Sequence, residues 1–207
     1  MRNFTASQAF LRNGQWAGNF SRRMPIVRGL TGRRLGVFGL GAIGERIARR
    51  AAALEMEVGY HNRRRRDDVP YPWWPTPAAL AAWAAVLMVA VRADTTTHHA
   101  VDAGVLARLG ADGHVVNIAR GFVIDEAALI AALAGGVIAG AGLDVYEHEP
   151  AVNPKLVRLA RAGKATLLPH MGSATIEGRI DMGEKVIINI KTWVDGHNPP
   201  DRVLPAM

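Results

Sequence analysis

The sequence contains no cysteine, so the chain can form neither disulfide bonds nor thiolate metal sites. This absence suits a reducing compartment, and we expect a cytoplasmic location. Long apolar segments are also missing, since the longest run, residues 78–91, falls short of the roughly 20 residues that span a bilayer. Residues 1–10 lack the apolar centre of a secretory signal. We therefore expect neither membrane insertion nor secretion.

Acidic residues are fewer than basic ones, with 18 Asp and Glu against 25 Lys and Arg, which gives a net charge of +7. Such a balance is compatible with nucleic-acid binding, but the only dense basic run is residues 63–66. A small phosphate-bearing ligand accounts for that run equally well, so a nucleic-acid module is the least favoured interpretation. At 207 residues and 49% hydrophobic content, the chain can bury the core of one ordinary domain.

Strand-like and helix-like patterns alternate along the chain, which is typical of an α/β protein with a doubly wound parallel sheet. We predict strands at residues 34–38, 57–60, 86–91, 114–118, 138–144 and 165–168. We predict helices at residues 43–54, 101–109, 125–134 and 174–196, with Asp125 as an N-cap and Gly135 at a helix end. One local conflict is Glu55, which follows a helix where a glycine would be more comfortable.

The segment LGVFGLGAIG, residues 35–44, runs from an apolar strand through three glycines into a helix. Gly39 permits a tight turn, Gly41 lets a phosphate approach the backbone, and Gly44 lets the helix close onto the strand. The start of the helix supplies free N–H donors and positive potential. The spacing predicts a cradle for the pyrophosphate of a dinucleotide.

The second strand ends where an acidic residue normally binds the ribose of NAD, and here that position holds Asn62. Arg63 and Arg64 follow directly, and a guanidinium beside a ribose is suited to bind a 2′-phosphate. We therefore predict NADP(H) over NAD(H), which remains the alternative. A solvated basic turn is the favoured interpretation for Arg65 and Arg66, and it stays open for Arg63 and Arg64.

Three polar residues follow separate predicted strands, and parallel strands end at the same edge of a sheet. Arg120 can bind a carboxylate, and His170 can exchange a proton near neutral pH. Glu149 can orient the ring of that histidine and keep it protonated. Each has an ordinary alternative: a helix-terminus contact for Arg120, an exposed loop acid for Glu149 and a buried structural histidine for His170. Asp144 either accepts a hydrogen bond from a nicotinamide amide or caps a turn.

The remaining histidines lack metal-ligand spacing with one another, apart from the adjacent pair His98 and His99. We predict no metal site.

Four segments, in order, resemble the cofactor domain of the D-isomer-specific 2-hydroxyacid dehydrogenases, particularly their glyoxylate/hydroxypyruvate reductase branch. They read GLGAIG at residues 39–44, VVNIARGFVIDEAALIAAL at 115–133, GAGLDVYEHEP at 140–150 and LPHMGSAT at 168–175. The resemblance implies that Arg120, Glu149 and His170 are catalytic and that Asp144 contacts the nicotinamide. Further expected cofactor contacts are Leu40, Ala42, Ile43, Val91, Ile118, Ala119 and Gly172.

In the implied mechanism Arg120 holds the carboxylate of a small 2-oxo acid, hydride arrives from the cofactor, and His170 protonates the developing alkoxide. Two departures from the family stand out. Residues 92–97 read RADTTT where relatives usually carry a proline, and nearly all of the family's substrate domain has no counterpart here. We expect residues 1–30 to form a linker or helical segment, 31–175 the dinucleotide-binding domain, and 176–207 a helix and tail that in relatives return to the substrate domain.

From these features we expect cofactor binding with weak or no turnover, and, by resemblance, a homodimer. The alternative is a non-catalytic dinucleotide-binding scaffold or corepressor-like fragment. The intact set of arginine, glutamate and histidine argues against it.

Overall fold

The structure is a computed structural model that describes residues 4–16 and 26–203. It divides into two compact units, Met1–Pro169 and His170–Met207. The first unit contains strands β1 to β6, which are Arg34–Phe38, Glu57–His61, Val86–Val89, His114–Asn117, Gly140–Leu143 and Ala165–Leu167. Its helices α1 to α6 are Phe4–Arg12, Ala42–Ala53, Pro77–Trp83, Ala103–Leu109, Glu126–Ala134 and Pro154–Arg161. The second unit contains α7, Ile176–Val194.

All six strands pair in parallel, in the order β2-β1-β3-β4-β5-β6. Each predicted strand is present, although several begin or end one or two residues away from the predicted limits. The chain passes from β1 to β2 on one side and then to β3 on the other. The order therefore reverses at β1 and β3, where a crevice opens at the carboxyl ends of the strands.

Alternate residues of the strands enter two different hydrophobic clusters, one on each face of the sheet. Leu35 and Val37 pack with Ala48 of α2, whereas Leu87 and Val89 pack with side chains of α3 to α6. Apolar residues on both faces explain the nearly continuous hydrophobic strand sequences. The expected doubly wound parallel sheet is therefore confirmed.

Side-chain caps fix the starts of most helices. Asp125 accepts a hydrogen bond from the backbone N–H of Ala128, as predicted for α5, and Asp102 caps α4 in the same way. Helix α6 was not predicted, although Asn153 at its N-cap and Pro154 at its first position are both helix-start residues. Its length of only eight residues gave little other signal.

The second unit, considered by itself, is the helix α7 followed by a return segment. Helix α7 begins at residue 176, two residues later than predicted, with Thr175 as its cap. Asp201 accepts hydrogen bonds from Asn189 and Lys185, which lowers the pKa of its carboxyl group. Across the described ranges, no helix is both long and apolar enough to cross a membrane.

Glu55 adopts the left-handed conformation that the sequence suggested, with φ of 60°. The residue is exposed, and the conformation costs a non-glycine residue about 1 kcal/mol or more. We expect Glu55→Gly to raise the free energy of unfolding by about 0.5–1 kcal/mol in urea denaturation. Glu55→Ala is the control, because it removes the contact of the carboxylate with Thr31 but keeps Cβ. Equal effects of the two substitutions would contradict a conformational origin.

Candidate active site

The three glycines of the turn after β1 have different surroundings. Gly39 has φ of 101°, and a Cβ there would lie 2.3 Å from the Cα of Val91. A Cβ on Gly44 would lie 2.1 Å from the carbonyl oxygen of Gly39, so only glycine lets α2 reach the strand. A Cβ on Gly41 would meet no atom within 4 Å. The turn is therefore closed on its protein side and open at Gly41.

Helix α2 begins at Gly41 without a hydrogen bond from a capping side chain. The N–H groups of a first helical turn have no partner within the helix, and they carry positive potential. An anion placed over Gly41 can accept hydrogen bonds from these groups. This is the arrangement that the glycine spacing predicts for a pyrophosphate.

A cleft of about 500 Å³ lies at the reversal of strand order. It is bounded by the residues that follow β1, β3 and β4, so it occupies the crevice expected for this topology. Among the predicted contact residues, it is lined by Gly41, Ala42, Ile43, Val91, Ile118, Ala119 and Arg120. Arg92 and Ala93, from the RADTTT segment, also line it.

Asn62, at the end of β2, is hydrogen-bonded to the glycine turn. Its Oδ1 accepts from the backbone N–H of Leu40 at 2.7 Å, and its Nδ2 donates to the Leu40 carbonyl at 3.4 Å. The side chain of Trp73 donates to the Asn62 carbonyl at 3.0 Å. Asn62 occupies the position where an acidic residue normally binds the ribose of NAD, and here its side chain stabilises the glycine turn.

Arg66 was interpreted as part of a solvated turn, and this interpretation is wrong. Its guanidinium donates to Leu40 O at 3.0 Å and to Glu45 Oε2 at 2.8 Å, and it also pairs with Asp68. These bonds raise the pKa of Arg66, with Asp68 contributing most, and the pairing lowers the pKa of Asp68. Sequence reasoning missed this role because the partners Glu45 and Leu40 lie more than twenty positions earlier in the chain.

The other three arginines of the run behave differently. Arg65 is exposed and pairs with Asp67 at 3.2 Å, as a solvated turn residue does. Arg63 and Arg64 are also exposed, and neither guanidinium makes a hydrogen bond or ion pair with another described residue. Arg63 contributes to lowering the pKa of Asp94, although hydrogen bonds from Thr96 contribute more.

Arg120 stands at the end of β4, where Asn117 fixes the backbone. The fully buried Asn117 donates to the Arg120 carbonyl at 3.0 Å and accepts from the N–H of Ala119 at 3.0 Å. The Arg120 guanidinium donates to Ala119 O at 2.7 Å. Sequence reasoning overlooked Asn117, although an amide inside the apolar strand sequence VVNIA is a visible signal.

Glu149 and Asp144 follow β5 in the same unit as Arg120. Glu149 accepts a hydrogen bond from the N–H of Tyr146 at 2.8 Å, and the N–H of Asp144 donates to Asn117 O at 3.1 Å. The hydroxyl of Tyr146 donates to Leu168 O at 2.8 Å, and burial followed by the charge of Asp144 raises its pKa. These bonds connect the ends of β4, β5 and β6.

His170 and Gly172 belong to the second unit. His170 has φ of 50°, a conformation uncommon for a residue other than glycine. The prediction that it joins Arg120 and Glu149 in one catalytic set stays a prediction.

The parallel sheet, its glycine turn and the cleft at the strand reversal define a dinucleotide-binding domain. The sequence profile described as "D-isomer specific 2-hydroxyacid dehydrogenase, NAD binding domain" matches residues 1–172. The chain belongs to this family, which confirms the resemblance identified from the sequence.

Several relatives are similar over nearly the whole chain. The 2-ketogluconate reductase of Gluconobacter oxydans is 42% identical over 92% of this chain and 59% of its own length. A glyoxylate/hydroxypyruvate reductase of Arabidopsis thaliana is 38% identical over 95% of this chain and 61% of its own. The chain thus spans about 60% of the length of these relatives.

Solved structures agree with this assignment. The NADPH-dependent glyoxylate/hydroxypyruvate reductase of Sinorhizobium meliloti, in complex with NADP and malonate, is 39% identical with a TM-score of 0.86, covering 94% of this chain and 60% of that one. A 2-hydroxyacid dehydrogenase from Ketogulonicigenium vulgare is 35% identical with a TM-score of 0.90, covering 98% and 63%.

Gly44→Ala and Gly41→Ala form a matched pair that tests the packing of the turn. We expect Gly44→Ala to lower the free energy of unfolding by about 1–3 kcal/mol, because its Cβ would overlap the Gly39 carbonyl. Gly41→Ala meets open space and should cost less than about 1 kcal/mol. Urea denaturation followed by circular dichroism measures both, and equal losses would contradict the described turn.

Proposed function

We propose that this protein is an oxidoreductase that transfers hydride between NADP(H) and a small 2-oxo or 2-hydroxy acid. The observation that carries the proposal is the open glycine turn beside a cleft that Arg120 also lines. A dinucleotide with its pyrophosphate at Gly41 has room to extend along this cleft toward Arg120. Glyoxylate and hydroxypyruvate are the first substrates to test, and 2-ketogluconate the bulkier alternative, because relatives named for each of them align over nearly the whole chain.

NADP(H) is the proposed cofactor because its 2′-phosphate needs cationic partners beside the ribose. The uncapped helix start at Gly41 suits the pyrophosphate, and the exposed Arg63 and Arg64 make no hydrogen bond or ion pair with another described residue. Asn62 places no negative charge where a 2′-phosphate would lie. NADP in the Sinorhizobium meliloti structure supports the same choice. NAD(H) remains the second cofactor to be tested.

Each catalytic residue has a proposed task. Arg120 binds the carboxylate of the 2-oxo acid through two parallel N–H donors, and Asn117 holds the backbone that presents it. His170 donates the proton that the substrate oxygen gains on reduction, and Glu149 orients the imidazole for this step. The cofactor supplies the hydride. Asp144 accepts a hydrogen bond from the carboxamide of the cofactor ring.

Two wider expectations belong to the same proposal. The protein forms a homodimer, by analogy with the family. It acts in the cytoplasm, because a chain without cysteine suits a reducing compartment. Light scattering of the purified chain tests the dimer.

Replacing Arg63 and Arg64 together with alanine tests cofactor choice. We expect the Kd for NADPH to rise at least tenfold, because each charge-assisted hydrogen bond is worth roughly 1.5–3 kcal/mol and 1.4 kcal/mol is a factor of ten. The Kd for NADH should stay within about twofold. Arg65→Ala is the control, since Arg65 pairs with Asp67. Tighter binding of NADH than of NADPH by the unaltered chain would refute the choice.

Reduction of glyoxylate and hydroxypyruvate by NADPH tests the reaction itself. We expect slow turnover by the 207-residue chain, with kcat lowered about 100-fold or more in His170→Gln and KM for the acid raised in Arg120→Lys. NADPH affinity, measured by calorimetry on the same samples, should change little in His170→Gln. NADPH binding without any turnover would agree with both the expected weakness and the scaffold alternative, whereas robust turnover would contradict the expected weakness.

A further inference from the structure

Three metal-ligand side chains meet on loops at the carboxyl ends of β3 and β5. The ligand atoms of His98, His99 and Glu147 all lie within 4.8 Å of one another. His99 Nε2 and Glu147 Oε1 are 3.0 Å apart, and the His98 ring stacks on His99 with 3.9 Å between centroids. The sequence displayed only the adjacent histidine pair, because Glu147 comes 48 positions after His99.

The backbone holds these ligands in place before any ion binds. The N–H of His99 donates to Phe122 O at 2.8 Å, and the N–H of Glu147 lies 3.4 Å from Oε2 of the buried Glu126. A Cβ on Gly121 would lie 1.9 Å from the Tyr146 carbonyl carbon, so the loops after β4 and β5 are in close backbone contact. The ligand-bearing loops therefore need little ordering on binding.

His99 itself has φ of 51°, which is strained for a residue with a side chain. Such strain persists where the surrounding structure enforces it, and it is frequent at ligand sites. This conformation directs the imidazole toward Glu147 rather than away from it. The exposed His98 completes the set at the surface.

We propose that His98, His99 and Glu147 bind one divalent cation of borderline softness, with Zn²⁺ as the best match. Two imidazoles and one carboxylate are a ligand set typical of zinc, and a water molecule completes four-coordination. Calcium and magnesium are disfavoured because they select oxygen ligands. The ion replaces the hydrogen bond between His99 and Glu147 with two metal–ligand bonds, while the exposed His98 ring turns to supply the third.

The bound ion joins the loop after β3 to the loop after β5, beside the Phe122 loop. Because the ion binds the folded chain, it raises the thermal stability as its concentration exceeds the Kd. This effect is independent of any reductase activity, so the site can be tested separately from the proposed function.

Zinc titration of the tag-free, chelator-stripped chain against a chromophoric chelator tests the site. We expect one Zn²⁺ per chain, with the Kd raised at least tenfold in His98→Ala and in Glu147→Gln. Glu147→Gln keeps a hydrogen-bond partner for His99, and His98→Ala removes only an exposed ring. His148→Ala is the matched control, because His148 is exposed and adjacent to Glu147 but outside the cluster.

Zinc should also raise the melting temperature of the unaltered chain and of His148→Ala, but not of the other two variants. The absence of stoichiometric zinc binding would overturn the proposal. So would an unchanged Kd in His98→Ala, or an equal loss in His148→Ala. NADPH titration of the same variants, which is expected to be unchanged, distinguishes loss of the ion from loss of the fold.

Discussion

The contact between the start of α2 and the turn after β1 is the constraint on which the rest of the site depends. With no Cβ at position 44, the helix approaches the Gly39 carbonyl more closely than any side chain permits. Gly39 also lacks a Cβ, which lets its backbone approach that of Val91, just after β3. Two strand ends and one helix start therefore meet at a single point, and the cleft opens directly beyond it.

A second layer of polar contacts keeps this point rigid. Asn62 and Arg66 both bind the backbone of Leu40, and Arg66 also binds Glu45 on α2. The basic run after β2 is therefore divided by function. One arginine stabilises the turn, while Arg63 and Arg64 extend from that fixed base toward solvent. The sequence did not distinguish these arginines, because they carry the same charge. They differ in whether the guanidinium contacts the glycine turn and α2, as that of Arg66 does.

The sequence predicted the sheet well because its strands are apolar on both faces and lie between recognisable turns. The glycine spacing likewise indicated the tight turn, since Gly39 and Gly44 each lie too close to other backbone atoms to carry a Cβ. Contacts between distant segments were less accessible. Arg66 reaches Glu45, Asn117 spans a turn from inside a strand, and Glu147 meets His99 across two loops. Such contacts form only when the chain folds, so the periodicity of the local sequence does not predict them.

The uncapped start of α2 has an energetic consequence for the apoprotein. Thr76, Asp102, Asp125, Asn153 and Thr175 each cap a helix with a side chain, whereas α2 begins at a residue that has none. In the apoprotein the backbone N–H groups of its first turn have only water as a hydrogen-bond partner. They should therefore exchange their hydrogens faster than the first N–H groups of the other helices. In the proposed binding mode, the phosphates of a dinucleotide would take the place of a capping side chain, so cofactor binding would also stabilise the first turn of that helix.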